Sequence, residues 1–311
     1  MLSVTLQAIA PVFLLITLGV FLRQRRLIDD AVRAGLSKLV YRVGLTALVF
    51  SKIADSNLRV LCDMRQAGYI IGSTVLLFIL LWLFSRPLIQ HKKTWGAFVQ
   101  AAYRGNTAIV GFAVVQNRYG DDGLAQAVML LAFIIPIFNL LAVIVLAHAG
   151  AAERLSPARL FRVLIANPLI IALLLAIPFA LFSIPIPTVI SITLKSLSNM
   201  VLPLALIAIG AELQWHLSKE FAWEIGIASL LKLIVLPLLQ MLGAWAIGIR
   251  GQALGVMTLL AASPTAVSAY VMARAMGSDE KLTAQIIVVS TACCILTMAG
   301  FVITGQLTGW F

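Results

Sequence analysis

The chain alternates between long apolar runs and short polar connections, and the length of the runs is the first informative feature. Most approach the roughly twenty residues that an α-helix needs to cross a ~30 Å hydrocarbon core. A water-soluble helix would carry a polar face opposite its apolar stripe, and most of these runs have none. They predict ten transmembrane helices. The first five lie near Val4–Leu22, Leu36–Ala54, Ala67–Phe84, Trp95–Gln116 and Leu124–Ala147. The second five lie near Val163–Phe182, Val189–Ala211, Trp223–Ile249, Gly251–Met276 and Leu282–Thr304. The second run is the most interrupted, by Lys38, Arg42 and Lys52.

Composition agrees with the pattern. Charged residues make up 11% of the chain and hydrophobic residues 61%, against about 25% charged in soluble domains. Mean hydropathy is +1.03. The net charge of +11 would suggest nucleic acid in a soluble protein, but the basic residues sit between the apolar runs. There they set membrane orientation. Connections after odd-numbered runs hold Arg23, Arg25, Arg26, Arg33, Arg86, Lys92, Lys93, Arg154, Arg159, Arg162, Lys219, Arg274 and Lys281. Those after even-numbered runs hold only Arg59, Arg65, Arg118 and Arg250. Thirteen against four puts the odd connections in the cytoplasm and both termini outside. Val4–Leu22 has its arginines after it and none before, the reverse of a signal peptide, so it is expected to stay as a span. The expected location is the bacterial inner membrane.

The longest connection, His148 to Arg162, divides the chain into residues 1–150 and 151–311, each with five runs. Halves with an odd number of spans must lie in opposite orientations, which is the arithmetic of an inverted repeat. Runs four and nine are both interrupted near their middles, by Arg104-Gly105-Asn106-Thr107 and by Ser263-Pro264-Thr265. Pro264 removes a backbone donor and disfavours helix before it, so Ser263 is expected to cap a new helix with Pro264 at its first position. Gly105 can take unusual backbone angles and Asn106 can act as the matching cap. A shift of 157 aligns Asn106 with Ser263 and superposes Val110 on Val267, Val114 on Val271, Gly120 on Gly277 and Asp122 on Asp279. Glycine and proline also mark ordinary kinks in membrane helices; interruptions at matching places in both halves argue for more. Two helix N-termini starting at the midplane, each with unpaired N–H groups and partial positive charge, would form an anion site built mainly from backbone.

The stretch Arg104-Gly105-Asn106-Thr107 with Gly111 and Tyr119-Gly120 resembles the fourth helix of the auxin efflux carrier family. The run Ser263 to Tyr270, Gly277 and Val288-Val289-Ser290-Thr291 are similar to the same family's later helices. The similarity extends over the whole chain and is to the bacterial members, since the plant PIN proteins have a much longer central loop. The resemblance implies an all-α membrane bundle of two inverted five-helix repeats with crossing interrupted helices, as in NhaA and the bile-acid transporters. It implies secondary transport of a small organic anion, a mono- or dicarboxylate of the malonate, malate or auxin kind. In the PIN branch an asparagine at each crossing holds the substrate carboxylate. Asn106 matches the first, whereas the second break has Ser263-Pro264-Thr265 and no asparagine.

The candidate substrate-binding residues are therefore Arg104, Gly105, Asn106, Thr107, Ser263, Pro264, Thr265 and Ser268. A mid-membrane arginine costs roughly 2.5–3.5 kcal/mol on insertion scales. Arg104 reads equally as a counter-charge for the anion or as a structural partner of a carbonyl or of Glu212. Lys232, inside run eight, is expected to snorkel to the cytoplasmic edge. Cys62, Cys293 and Cys294 have no metal-ligand spacing, nor do His91, His148 and His216. No catalytic motif occurs, so neither an enzyme nor a cofactor is expected. The expected partners are the anion and the lipid bilayer, without nucleic acid; a homodimer stays open. The competing readings are a channel, which needs no paired breaks, and a sensor, which would carry a soluble output domain.

Overall fold

The computed structural model describes residues 2–56, 63–149, 168–213 and 218–311, and among them every regular element is helical. Helix α1 spans Leu2–Gln24. Asp29 accepts a hydrogen bond from the Val32 N–H and so starts α2, Asp30–Leu39. This helix passes through a π-turn, Val40–Gly44, into α3, Leu45–Ala54. The second run is therefore helical throughout, with one π-turn, despite its charges. Asp63 caps α4, Met64–Ser85, in the same way. Then come α5, Lys92–Tyr103, a π-turn at Thr107–Gly111, and α6, Phe112–His148. A bend at Gly120, with φ 66° and ψ −154°, divides α6 where the sequence places the boundary between two runs. Only a residue without Cβ takes that conformation cheaply.

Helix α7 is Pro168–Phe182, and the sequence-predicted start of that run, Val163, lies outside the described residues. Next are α8, Thr188–Glu212, and α9, Ala222–Leu230, which continues through a π-turn at Leu231–Val235 into α10, Leu236–Ala246. The chain ends with α11, Gly251–Ala261, α12, Val267–Ala275, and α13, Glu280–Thr308, the last capped by Asp279. Six helical stretches among the described residues are long and apolar enough to cross a membrane. Pro168–Phe182 and Gly251–Ala261 are shorter apolar helices. The outer faces fit a lipid solvent: Leu14, Phe84, Val189 and Leu296 are each more than two-thirds exposed. The molecule is thus an all-helical, multi-pass membrane protein.

Two groups of helices surround the centre. In the first, α1 packs on α8, and α3 on α7 and α8. A Cβ on Gly19 would lie 2.1 Å from the Ile207 carbonyl oxygen, and one on Gly210 2.0 Å from that of Ile16. The α1 and α8 backbones therefore touch, the close approach by which helices associate in lipid. In the second group, α5 runs among α4, α6, α9 and α13. Every α5 residue from Trp95 to Tyr103 is buried. A helix walled in on all sides cannot afford a polar stripe, and its interruption at Arg104 falls deep inside the protein.

Candidate functional site

The two interrupted helices meet at their interruptions. Helix α5 ends at Tyr103, and the chain is extended at Arg104 (φ −83°, ψ 105°) before it turns at Asn106. Helix α11 ends at Ala261, and Ala262 to Ala266 lead into α12. Gly105 and Thr265 form an antiparallel bridge, the only isolated one among the described residues. The Asn106 N–H donates to the Pro264 carbonyl at 2.6 Å, and the Ala266 N–H to the Arg104 carbonyl at 2.9 Å. Breaking a helix in lipid leaves donors and acceptors that water cannot reach. Here each break supplies one donor and one acceptor to the other.

Side chains lock the bridge. The Thr265 hydroxyl donates to the Ala101 carbonyl at 2.9 Å, and the Thr265 N–H donates to Ser290 Oγ at 3.1 Å. Gly105 is required by contact: a Cβ there would sit 2.6 Å from Ser263 Oγ and 3.2 Å from Lys232 Nζ. Beyond the bridge, the π-turn at Thr107 and helix α12 at Val267 begin on its opposite sides. The N–H groups of Thr107, Ala108, Val267 and Ser268 are first-turn donors with no backbone partner among the described residues. With the helix dipoles they make these two helix starts, as distinct from the carbonyl ends of α5 and α11, electropositive and suited to an anion.

The structure corrects the expected caps. Ser263 does not cap the following helix; its hydroxyl turns back to the Leu260 carbonyl at 2.7 Å. Pro264 is not the first helical residue either, because α12 starts at Val267 after an extended Ala266. The bridge needs Thr265 and Ala266 extended, and that requirement outweighs the local preference for a Ser-Pro helix start. Asn106 precedes its turn as expected, but its side chain makes no cap bond. Its carbonyl instead accepts from the Val110 and Gly111 N–H groups at 3.1 and 3.3 Å. The Asn106 amide is left without a hydrogen-bond partner among the described residues, at 8% exposure.

Of the eight candidate residues, Arg104, Gly105, Asn106, Ser263, Pro264 and Thr265 meet at the bridge through backbone or side chain, and Thr107 adjoins it. Ser268 lies in the first turn of α12 and is exposed. The Arg104 side chain leaves the bridge for α6 and α12, donating to Asn139 Oδ1 at 2.8 Å and Met272 Sδ at 3.0 Å. Pairing with Glu212 is excluded, since that carboxylate lies 3.7 Å from Arg33 and 3.5 Å from the Ser37 hydroxyl. The guanidinium has no carboxylate partner among the described residues.

Lys232 is the residue that sequence reasoning misplaced. It does not snorkel: it is 3% exposed and its Nζ donates to the Ala261 carbonyl at 2.6 Å. The only signal in the sequence was its position in the middle of an apolar run. Lys232, Gly105 and Thr107 line a cavity of about 40 Å³ together with Thr74 and Gln240. A larger cavity of about 240 Å³ lies between α1, α3, α8 and the first part of α6. Its polar lining includes Gln116, Asn117, Asn199 and the Lys52–Asp121 ion pair at 2.5 Å.

Many helices packed in a membrane around two mutually bonded helix breaks define a protein of the transporter class. The chain belongs to the membrane transport protein family, the auxin efflux carriers, whose model matches residues 4–302. It is 25% identical to an uncharacterized transporter of Methanothermobacter thermautotrophicus, over 94% of this chain and 95% of that one. To the uncharacterized transporter YfdV of Escherichia coli K12 it is 26% identical, over 99% and 97%. A Rhizobium meliloti protein whose name gives malonate transport as a provisional role is 25% identical, over 94% and 93%. The family and these relatives are transporters and not enzymes.

Proposed function

We propose that this protein is a secondary transporter that carries a small organic anion, a mono- or dicarboxylate, across the bacterial inner membrane by alternating access. The observation that carries this reading is the bridge between Gly105 and Thr265, which brings two helix starts with free N–H groups to its two sides. No carboxylate ion-pairs with Arg104 or Lys232 there among the described residues, so the positive field is available to a ligand. The Asn106 amide, unpartnered beside the bridge, can donate to a carboxylate oxygen. Thr107 adds a hydroxyl on the adjoining turn, and Arg104 adds charge from behind. The malonate in one relative's name supports a dicarboxylate.

The same reading takes the ten apolar runs as ten spans in two inverted halves, residues 1–150 and 151–311. Gly120 and Gly277, which coincide at the shift of 157, both have positive φ, 66° and 67°. That agreement supports the repeat. The group formed by α1, α3, α7 and α8 would be the scaffold, and the group around the crossing would be the moving part. The 240 Å³ cavity lies between them, where alternating access needs its path. With both termini outside, a reporter fused to the C-terminus is active in the periplasm; a cytoplasmic C-terminus would remove a span and with it the repeat.

The functional test is uptake and binding of mono- and dicarboxylates by the purified protein in proteoliposomes. Asn106→Ala is expected to weaken binding by about 1.5–3 kcal/mol, roughly ten- to hundredfold. Arg104→Lys keeps the charge and loses the planar fork, so it separates field from pairing geometry. If Asn106→Ala folds and binds as tightly as the unaltered protein, the anion is held elsewhere. An ion conductance without saturation would replace the carrier by a channel.

A further inference from the structure

Lys232 is a basic side chain, buried and unmatched by any carboxylate in ion-pair range among the described residues. It sits in the π-turn Leu231–Val235, a distortion that often marks functional positions. Among the described residues its hydrogen bond goes to the Ala261 carbonyl, and Ala261 is the last residue of α11. The end of a helix presents carbonyls without intrahelical donors and a partial negative charge. The ammonium therefore sits where the broken helix is most negative. An ammonium has three donors, and only one is used on Ala261. The cavity it faces also holds Gly105, Thr107, Thr74 and Gln240, an oxygen-rich group with apolar walls.

The other carbonyl end at the crossing is finished differently. Helix α5 presents the Ala101 carbonyl, and a neutral hydroxyl, that of Thr265, takes it. A cationic side chain thus bonds a helix-end carbonyl on one side of the bridge only, since the Arg104 guanidinium beside α5 turns to Asn139 and Met272 instead. In carriers built on broken helices, carbonyl ends of half-helices and unwound backbone are where a co-transported cation is coordinated. Such a cation needs several oxygens at short range, from carbonyls, hydroxyls or side-chain amides. These are the groups around Lys232, and a metal ion could not share the Ala261 carbonyl with an ammonium 2.6 Å away.

We propose that Lys232 is a resident cation of the crossing: its ammonium holds the carbonyl end of α11 in the place an inorganic co-transported cation would take, and the anion therefore moves without sodium. The second half rests on the transporter reading; the first does not. Residue and charge are separable because Lys232→Met keeps the length of the side chain and removes the ammonium, while Lys232→Ala opens space for a small cation.

The experiment is thermal unfolding of the full-length protein in detergent, with sodium chloride replaced by choline chloride at equal ionic strength. The unaltered protein is expected to melt at the same temperature in both salts. Lys232→Met is expected to melt lower in choline, and Lys232→Ala to recover on addition of sodium or ethylammonium but not of choline. Should Lys232→Ala fail to fold, Lys232→Met carries the comparison, and the salt indifference of the unaltered protein is read in any case. Sodium-dependent stabilisation of the unaltered protein would overturn the proposal. So would a Lys232→Met variant that melts as the unaltered protein does, or a loss that neither small cation repairs, which would make the lysine a packing residue. In proteoliposomes, uptake is expected to stay within twofold when sodium is withdrawn, and a larger fall overturns the second half. If no carboxylate is taken up in either salt, the transporter substrate reading fails while the melting result still decides the role of Lys232.

Discussion

The interruption after α5 is short, Arg104 to Asn106, and the chain resumes in a π-turn; that after α11 runs from Ala262 to Ala266 and resumes as α12 directly. The first contains the glycine and the second the proline, and each residue solves a different problem. Gly105 lets another segment approach, since any side chain there meets Ser263 and Lys232. Pro264 keeps the opposite segment from continuing as helix while its carbonyl remains free to accept from Asn106. The side chains also divide the work unevenly. Thr265 and Ser263 are both spent on carbonyls, whereas the Asn106 amide is spent on nothing among the described residues. One break holds the crossing together and the other is left with a free donor. The two breaks thus differ in what their side chains are left to do: one is bonded throughout, and the other keeps a free donor.

The largest effect expected from this division is at Gly105. Gly105→Ala forces a methyl to 2.6 Å from Ser263 Oγ, whose hydrogen bond to Leu260 resists displacement. Overpacking of this kind costs about 1–3 kcal/mol. In a Ser263→Ala background the nearer obstruction is gone while Lys232 Nζ stays at 3.2 Å, so the second substitution should recover part of the loss. A double-mutant cycle by thermal unfolding measures it. Strict additivity of the two changes would mean that the contact at Gly105 does not set the fit.

A smaller effect is expected at Thr265. Thr265→Val keeps the shape and removes the hydroxyl that donates to the Ala101 carbonyl. The loss of one buried hydrogen bond costs about 1 kcal/mol. Substrate affinity in that variant should be nearly unchanged if Thr265 belongs to the architecture. A binding loss larger than the stability loss would move Thr265 to the anion.

Much of this was legible in the sequence, and what was not has a common cause. Apolar runs of membrane-spanning length translate directly into helices, because hydrocarbon leaves the backbone no alternative. The interruptions at Gly105 and Pro264 were legible for the same reason, since glycine and proline weaken helix wherever they stand. Side-chain partners were not legible. Ser263 had two acceptable positions, capping forward or bonding back, and only the bridge to Gly105 decides between them. Arg104 found Asn139 and Met272 on helices remote in sequence, and Glu212 was already held by Arg33 and Ser37. Lys232 could snorkel or point inward, and its position in a π-turn, invisible in the residue pattern, aims it at Ala261.

The smallest stability effect, and the sharpest use of the comparison, is expected at Asn106. Its backbone bonds to Pro264, Val110 and Gly111 survive replacement of the side chain, because all of them use main-chain atoms. Its amide has no hydrogen-bond partner among the described residues, so Asn106→Ala breaks no bond of the fold. The alanine variant should therefore melt within about 0.5 kcal/mol of the unaltered protein, the range of a substitution that touches no special feature. Carboxylate binding should meanwhile fall at least tenfold, the mirror image of Thr265→Val. Measured side by side, the two variants test whether stability and affinity are carried by different breaks. A destabilised Asn106→Ala would mean that the amide serves the fold after all, and the division drawn between the two breaks would then be wrong.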